Sequence, residues 1–169
     1  SDLSVNLEIC FVFKKNNVRH VHGIYLDPFT NYLWVVTGDN KNECKIFFTK
    51  DKFKNIKIIG QGDESWRAIS IIFEKDFIYY GTDAEFSQNY IYKLNKANYK
   101  REIMHIVDGP IYYSKKIGKN KVFIVTAEGS PSQKTNKLDI LYFDENNKIT
   151  PIKSYLKDFW PIQFMPGTI

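Results

Sequence analysis

Three times along the chain, an apolar run of β-branched and aromatic residues ends in a short turn carrying a carboxylate. Residues 33–36 lead into Thr37-Gly38-Asp39, residues 77–80 into Gly81-Thr82-Asp83, and residues 122–125 into Thr126-Ala127-Glu128. The carboxylates stand about 45 residues apart, a period that marks stacked or radially arranged repeats. Such a repeat constrains the architecture and leaves the chemistry open.

Each unit holds more than its turn. Strands bounded by Gly, Pro and Asn are expected at 23–26, 32–36, 45–48 and 57–59, then at 68–73, 77–80, 90–94 and 102–107, then at 111–113, 121–125, 139–143 and 149–153. Four strands per unit, in sequence order, is the pattern of a propeller blade. A β-sandwich also has short, regularly spaced strands, but gives no reason for the same carboxylate turn to return every fourth strand. Aromatic residues make up 16% of the chain, a bias that suits pleated surfaces. The expected fold class is all-β, a β-propeller made of four-stranded antiparallel blades.

The blade phase can be followed past the three units. Residues 6–13 read as the outer strand of a preceding blade, and Pro161-Ile162-Gln163-Phe164 resembles Pro110-Ile111-Tyr112-Tyr113, an opening strand. The expected division is a blade remnant over 1–18, blades over about 19–65, 66–109 and 110–159, and the start of another over 160–169. That is about three and a half blades, against roughly four to eight in a closed ring. The expectation is a piece of a longer protein whose further blades close the ring, with self-association as the other route.

Composition removes several function classes. No stretch approaches the roughly 18 to 20 consecutive apolar residues of a membrane span. No secretory leader pattern and no Asn-x-Ser/Thr sequon occurs, which leans the reading of compartment toward the cytoplasm. Cys10 and Cys44 lack metal-site spacing and are read as thiols in half-buried strands. The net charge is +5, yet only Arg19, Arg67 and Arg101 are arginines among 24 basic residues, whereas base readout and bidentate phosphate contact favour Arg. The lysines lie in turn-like segments and serve solubility and strand-edge protection, so no specific nucleic-acid partner is expected.

The run Arg19-His20-Val21-His22-Gly23-Ile24-Tyr25-Leu26-Asp27-Pro28, followed by Leu33-Trp34-Val35-Val36-Thr37-Gly38-Asp39, resembles the sialidase-like, BNR-repeat β-propeller proteins often labelled glycoside-hydrolase-like. The resemblance continues through Trp66-Arg67-Ala68, Tyr79-Tyr80-Gly81-Thr82-Asp83 and Asp108-Gly109-Pro110-Ile111-Tyr112-Tyr113-Ser114. The group's Asp box, Ser/Thr-x-Asp-x-Gly-x-Thr-Trp between third and fourth strands, survives only as Thr49-Lys50-Asp51, with Phe53 in place of Gly and Ile56 in place of Trp. The other units keep Asn95-Lys96-Ala97-Asn98 and Asp144-Glu145-Asn146-Asn147 in that connection.

Blade topology turns spacing into a candidate site. Antiparallel strands alternate direction, so the connections from second to third strand and from fourth to the next first strand emerge at one face. His20, His22, Trp66, Arg67 and Asp108 then share a face with Asp39, Asp83 and Glu128, and these eight are the expected ligand-binding residues. The carboxylates suit either capping of turn N–H groups or ligation of a hard cation. His20 and His22 flank Val21 and suit a metal, a proton relay or a hydrogen-bonded structural pair. Trp66 beside Arg67 suits stacking on a sugar ring or simple packing between blades. No metal and no cofactor is assigned.

The expected function is a non-catalytic propeller segment that binds a carbohydrate or a protein partner on this face. The alternative is part of a glycoside-hydrolase-like enzyme completed by blades outside the chain, since paired carboxyl groups are present. By resemblance, a sialidase needs an arginine cluster and a tyrosine nucleophile paired with an acid. Only Arg19 and Arg67 lie on the face, so no sialidase activity is expected.

Overall fold

The computed structural model of the chain describes residues 9–14 and 17–157. Twelve strands follow one another with no α-helix among the described residues. β1 (His20–Leu26), β2 (Leu33–Gly38), β3 (Lys45–Thr49) and β4 (Lys57–Gln61) form a first antiparallel sheet in sequence order. β5 (Ala68–Phe73), β6 (Phe77–Thr82), β7 (Asn89–Asn95) and β8 (Arg101–Val107) form a second, and β9 (Ile111–Ile117), β10 (Asn120–Val125), β11 (Lys137–Phe143) and β12 (Ile149–Leu156) a third. The all-β class and the grouping of strands by four match the sequence reading. No helix among the described residues is long and apolar enough to cross a membrane.

The turns explain where strands stop. In all three sheets the connection from third to fourth strand is closed by a carboxylate or amide that accepts backbone N–H groups. Asp51 takes Asn55 N at 2.9 Å, Asn95 takes Ala97 N at 2.8 Å, and Asp144 takes Asn146 N and Lys148 N, each at 2.8 Å. Side-chain acceptors of this kind mimic a backbone turn. The same turn chemistry thus recurs between third and fourth strands in all three sheets.

Alternation along the second sheet divides the core in two. Ile71, Ile78, Tyr80, Tyr92 and Leu94 face Trp34, Val36, Ile46 and Phe48 of the first sheet. Ile72, Tyr79 and Ile91, one residue out of phase, face Ile111, Phe123, Val125, Leu141 and Phe143 of the third. A strand's period of two thus buries both faces of the middle sheet. Gly81 admits the close approach of β9, because a Cβ there would run into Ile111.

The first strands of the three sheets lie side by side. Ser70 Oγ and Ser114 Oγ are 2.8 Å apart across β5 and β9, and Tyr25 Oη of β1 donates to Ile69 O of β5. Each first strand also shifts register against its neighbour near the carboxylate end: between Val21 and Gly23, between Ala68 and Ile71, and between Tyr113 and Ile111. His22 and Tyr112 are the unpaired residues of the first and third of these bulges.

Two expectations fail on the described residues. Residues 9–13, apolar enough to read as a strand, form none, because no neighbouring strand pairs with them there, although Phe13 packs edge-on against Phe47 at 6.0 Å. Residues 6–8 and the opening strand expected at 161–164 lie outside the described residues. Cys44 is fully buried just before β3 and Cys10 is exposed outside any strand, so neither is a half-buried strand position. Burial pushes the Cys44 thiol up to about 11, which removes it as a nucleophile at neutral pH.

Candidate functional site

The three repeating carboxylates stand at the same end of their sheets, and the structure joins two of them through one arginine. Arg67 lies between a short 3-10 turn (Glu64–Trp66) and β5. Its Nε is 2.9 Å from Asp83 Oδ2, Nη2 is 3.8 Å from Asp39 Oδ1, and Nη1 is 3.6 Å from Glu85 Oε2. Nη1 also donates to Asp39 O at 3.5 Å. Glu128 of the third unit feels both the Arg67 charge and that of Glu85, and accepts a hydrogen bond from Tyr112 Oη. One guanidinium from the second sheet thus sits among carboxylates from all three.

Asp39 gathers the histidines. His20 Nδ1 is 3.1 Å from Asp39 Oδ2 and His22 Nε2 is 3.6 Å from Asp39 Oδ1, with Arg19 Nη1 3.9 Å from Oδ2. Alternation alone would carry His20 and His22 to one side of β1; the bulge at His22 adds a local twist that aims its ring. Bulges commonly re-aim a side chain beside a functional site, and Tyr112 reaches Glu128 from the equivalent position in the third sheet. Asp39 itself has φ 101°, a backbone conformation that costs a non-glycine residue of order 1–3 kcal/mol. The strain is held where the side chain meets four partners.

The loop after β6 is fastened from two sides, which holds Asp83 and Glu85 in place. The buried Glu64 carboxylate accepts from the backbone N–H groups of Glu85 and Ser87, at 3.0 and 2.9 Å, and from Ser87 Oγ at 2.8 Å. Asn89 Oδ1 accepts from Thr82 Oγ1 and Ala84 N, each at 2.8 Å, while its Nδ2 donates to Ala84 O and Ser132 Oγ, each at 3.0 Å. Polar groups so completely paired make a rigid support.

Electrostatics separate the carboxyl groups. Burial raises Asp83 to about 7, with Arg67 opposing the shift and the Glu128 and Asp39 charges adding to it. Glu128 is also raised, chiefly by burial, against the pull of Arg67. A buried carboxyl that titrates near neutrality can hold or release a proton under ordinary conditions.

The eight expected residues do not all meet. His20, His22, Asp39, Arg67 and Asp83 form one cluster, with Glu128 at its edge. Trp66 points elsewhere: its indole packs over Gly60, lies parallel to Tyr80 and carries the Arg101 guanidinium 3.7 Å from its ring. Arg101 in turn donates to Ser65 O and Tyr80 Oη, at 2.7 and 2.9 Å, so the cation that stacks on Trp66 belongs to the packing between sheets. Asp108 sits in the β8–β9 connection; its carbonyl accepts from Lys134 N and its carboxylate acts on His105. Capping of backbone N–H groups by a side chain is seen at Asp51, Asn95 and Asp144, in the connections at the opposite strand ends.

Glu85, Tyr112 and Glu64 are the residues that sequence reasoning passed over. Glu85 follows Asp83 by two positions and shared its turn signal. Tyr112 is hidden by adjacent Tyr113, because only the bulge decides which tyrosine faces Glu128. Two shallow concavities lie at the opposite strand ends, one lined by Phe77, Lys93, Asn98 and Arg101, the other by Tyr32, Lys50, Asn55 and Tyr99. Neither carries a comparable charge network.

The sequence matches no protein-family model and no curated protein.

Proposed function

We propose that the three sheets are successive blades of a β-propeller of sialidase-like, BNR-repeat type, and that the carboxylate end binds a saccharide without turning it over. The side-by-side packing of β1, β5 and β9 supports the radial reading, since first strands line the centre of a propeller. On this reading the blades span about 19–65, 66–109 and 110–159, and further blades or a second copy complete the ring.

The observation that carries the binding reading is Arg67 held among Asp39, Asp83 and Glu85 by a loop pinned through Glu64 and Asn89. Sugar hydroxyls are both donors and acceptors. A fixed guanidinium ringed by carboxylates offers them both roles without reorganisation, which lowers the entropic cost of binding. Calorimetry with saccharides that score on a glycan array should give an affinity that Asp83→Asn and Glu85→Gln each weaken at least about tenfold, or 1.4 kcal/mol. Binding unchanged in both variants would remove this end of the sheets from consideration. A protein partner retained by both variants would be the other ligand class, at another surface.

A second reading has its own observation. Tyr112 hydrogen-bonded to Glu128 supports the tyrosine–acid pair that the resemblance implies for a sialidase, and Asp83, raised to about 7, is a further carboxyl group in the same cluster. Against turnover by this chain, Arg101 is committed to Trp66 and Ser65. Arg67 and the exposed Arg19 are then the only guanidiniums for a substrate carboxylate, and bidentate recognition is not replaced by lysine. A fluorogenic sialoside should stay uncleaved; cleavage lost in Tyr112→Phe would establish the enzyme reading instead.

A further inference from the structure

We propose that His20, His22 and Asp39 form a binding site for a divalent transition-metal ion of the zinc class. The proposal goes beyond saccharide binding and does not depend on it.

The hydrogen-bond roles of His22 carry the inference. His22 Nδ1 lies 3.0 Å from Ala68 O, a carbonyl that can only accept, so Nδ1 bears the proton. In the neutral ring Nε2 then presents a lone pair, and it presents it to the Asp39 carboxylate at 3.6 Å. Two electron-rich groups face each other across that gap, an arrangement that a cation between them, a second proton on the ring or a metal ion, would stabilise. A metal-bound histidine whose other nitrogen donates to a backbone carbonyl is a recurring arrangement, because that bond sets tautomer and ring orientation. Here the carbonyl comes from β5, so the second sheet orients a donor carried by the first.

The donor set and its spacing favour the metal. One nitrogen from each imidazole and one carboxylate oxygen all lie within 4.8 Å of one another. Tetrahedral zinc with bonds of about 2.0–2.1 Å places its ligand atoms about 3.3 Å apart. His20 Nδ1 lies 3.1 Å from Asp39 Oδ2 and His22 Nε2 lies 3.6 Å from Asp39 Oδ1, so the two imidazoles meet different oxygens of one carboxylate at separations on that scale. Imidazole nitrogens select zinc-like ions over calcium and magnesium, which take oxygen donors. Three protein ligands leave a fourth position open. His22 is 9% exposed and His20 59%, so an ion can enter from the His20 side while its inner ligand stays fixed.

Local charge points the same way. Asp39, Asp83, Glu85 and Glu128 all act on Arg67, a guanidinium 13% exposed, while Arg19 is largely solvated and Lys157 acts on Glu128. Arg67 approaches Asp83 at 2.9 Å but Asp39 only at 3.8 Å, which leaves the Asp39 oxygens turned to the imidazoles. A divalent cation would offset the excess of carboxylates.

The test uses the purified chain stripped with a chelator and titrated with Zn2+ by calorimetry and with Co2+ by visible absorption. One equivalent of Zn2+ at micromolar affinity or tighter is expected, with a tetrahedral Co2+ spectrum that Zn2+ abolishes. His22→Gln and Asp39→Asn should each weaken Zn2+ binding about a hundredfold, and His105→Gln, which removes the remaining histidine, should leave it unchanged. If His22→Gln fails to fold by circular dichroism, the exposed His20→Gln serves in its place. No saturable binding by the wild-type chain, binding that survives His20→Gln and Asp39→Asn, or binding lost in His105→Gln would overturn the assignment. Mg2+ or Ca2+ competing at equal concentration would overturn the zinc class.

Discussion

Asp83 concentrates the electrostatic tension of the cluster in one side chain. It is buried, it faces Arg67 from the start of β5, and the charges of Asp39 from the first sheet and Glu128 from the third bear on it, with Glu85 on its own loop. With a folded-state pKa of about 7 against an ordinary value near 4, the folded chain keeps a proton that the unfolded chain releases between those pH values. Stability therefore falls as pH rises through that window, and the loss is complete above it. Urea denaturation with chelator present should show the decline between about pH 4.5 and 7.5, of about 2 kcal/mol after allowance for screening. In Asp83→Asn the slope should flatten, whatever the variant's absolute stability. A slope unchanged in that variant would assign the pH dependence to other groups.

Between elements, the strand ends remote from Asp39 are tied by a buried ion pair. Asp27, in the β1–β2 turn, accepts Phe29 N at 3.0 Å and Thr30 Oγ1 at 2.8 Å, and Lys96 from the β7–β8 turn reaches the same carboxylate at 2.7 Å. Asp27 is 0% exposed. Removing one partner leaves the other charge buried and unpaired, which is the costly way to break such a pair. Lys96→Met should lower unfolding free energy by about 3 kcal/mol, and Asp27→Asn with Lys96→Met should recover part of it; a single variant within 0.5 kcal/mol of wild type would show the pair to be solvated. This pair also marks what sequence could and could not convey. The twelve strands were legible because alternation and Gly, Asn and Pro punctuation are local, and most of their bounds lie within about three residues of expectation. Asp39, Asp83 and the histidines were legible because repeat phase converts spacing into a shared end. Asp27 with Lys96, Tyr112 with Glu128, and Trp66 with Arg101 were not, since each depends on a bulge or on packing between neighbouring sheets. Residues 9–13 carry a strand's pattern, and pattern alone does not supply the neighbouring strand that pairing requires.

At the scale of the molecule, the second sheet is the common wall of two cores that otherwise hold separate residues. Ile46 of β3 belongs to the first and Ile111 of β9 to the second, and both are fully buried. If the middle sheet acts as a rigid spacer, a methylene removed from one core is not felt in the other; if it deforms, each cavity relaxes into the other. Close packing favours the first outcome, because Tyr79 and Tyr80 fill opposite faces of β6 and leave it little room to shift. Ile46→Val and Ile111→Val should each cost about 0.5–1.5 kcal/mol. The double variant should equal their sum within about 0.5 kcal/mol, the additivity expected of sites without shared partners. A larger coupling energy would mean that the middle sheet transmits strain. The Arg67 cluster would then respond to changes in either core, since Arg67 and Asp83 are attached to that sheet's first and second strands while Asp39 and Glu128 belong to its neighbours.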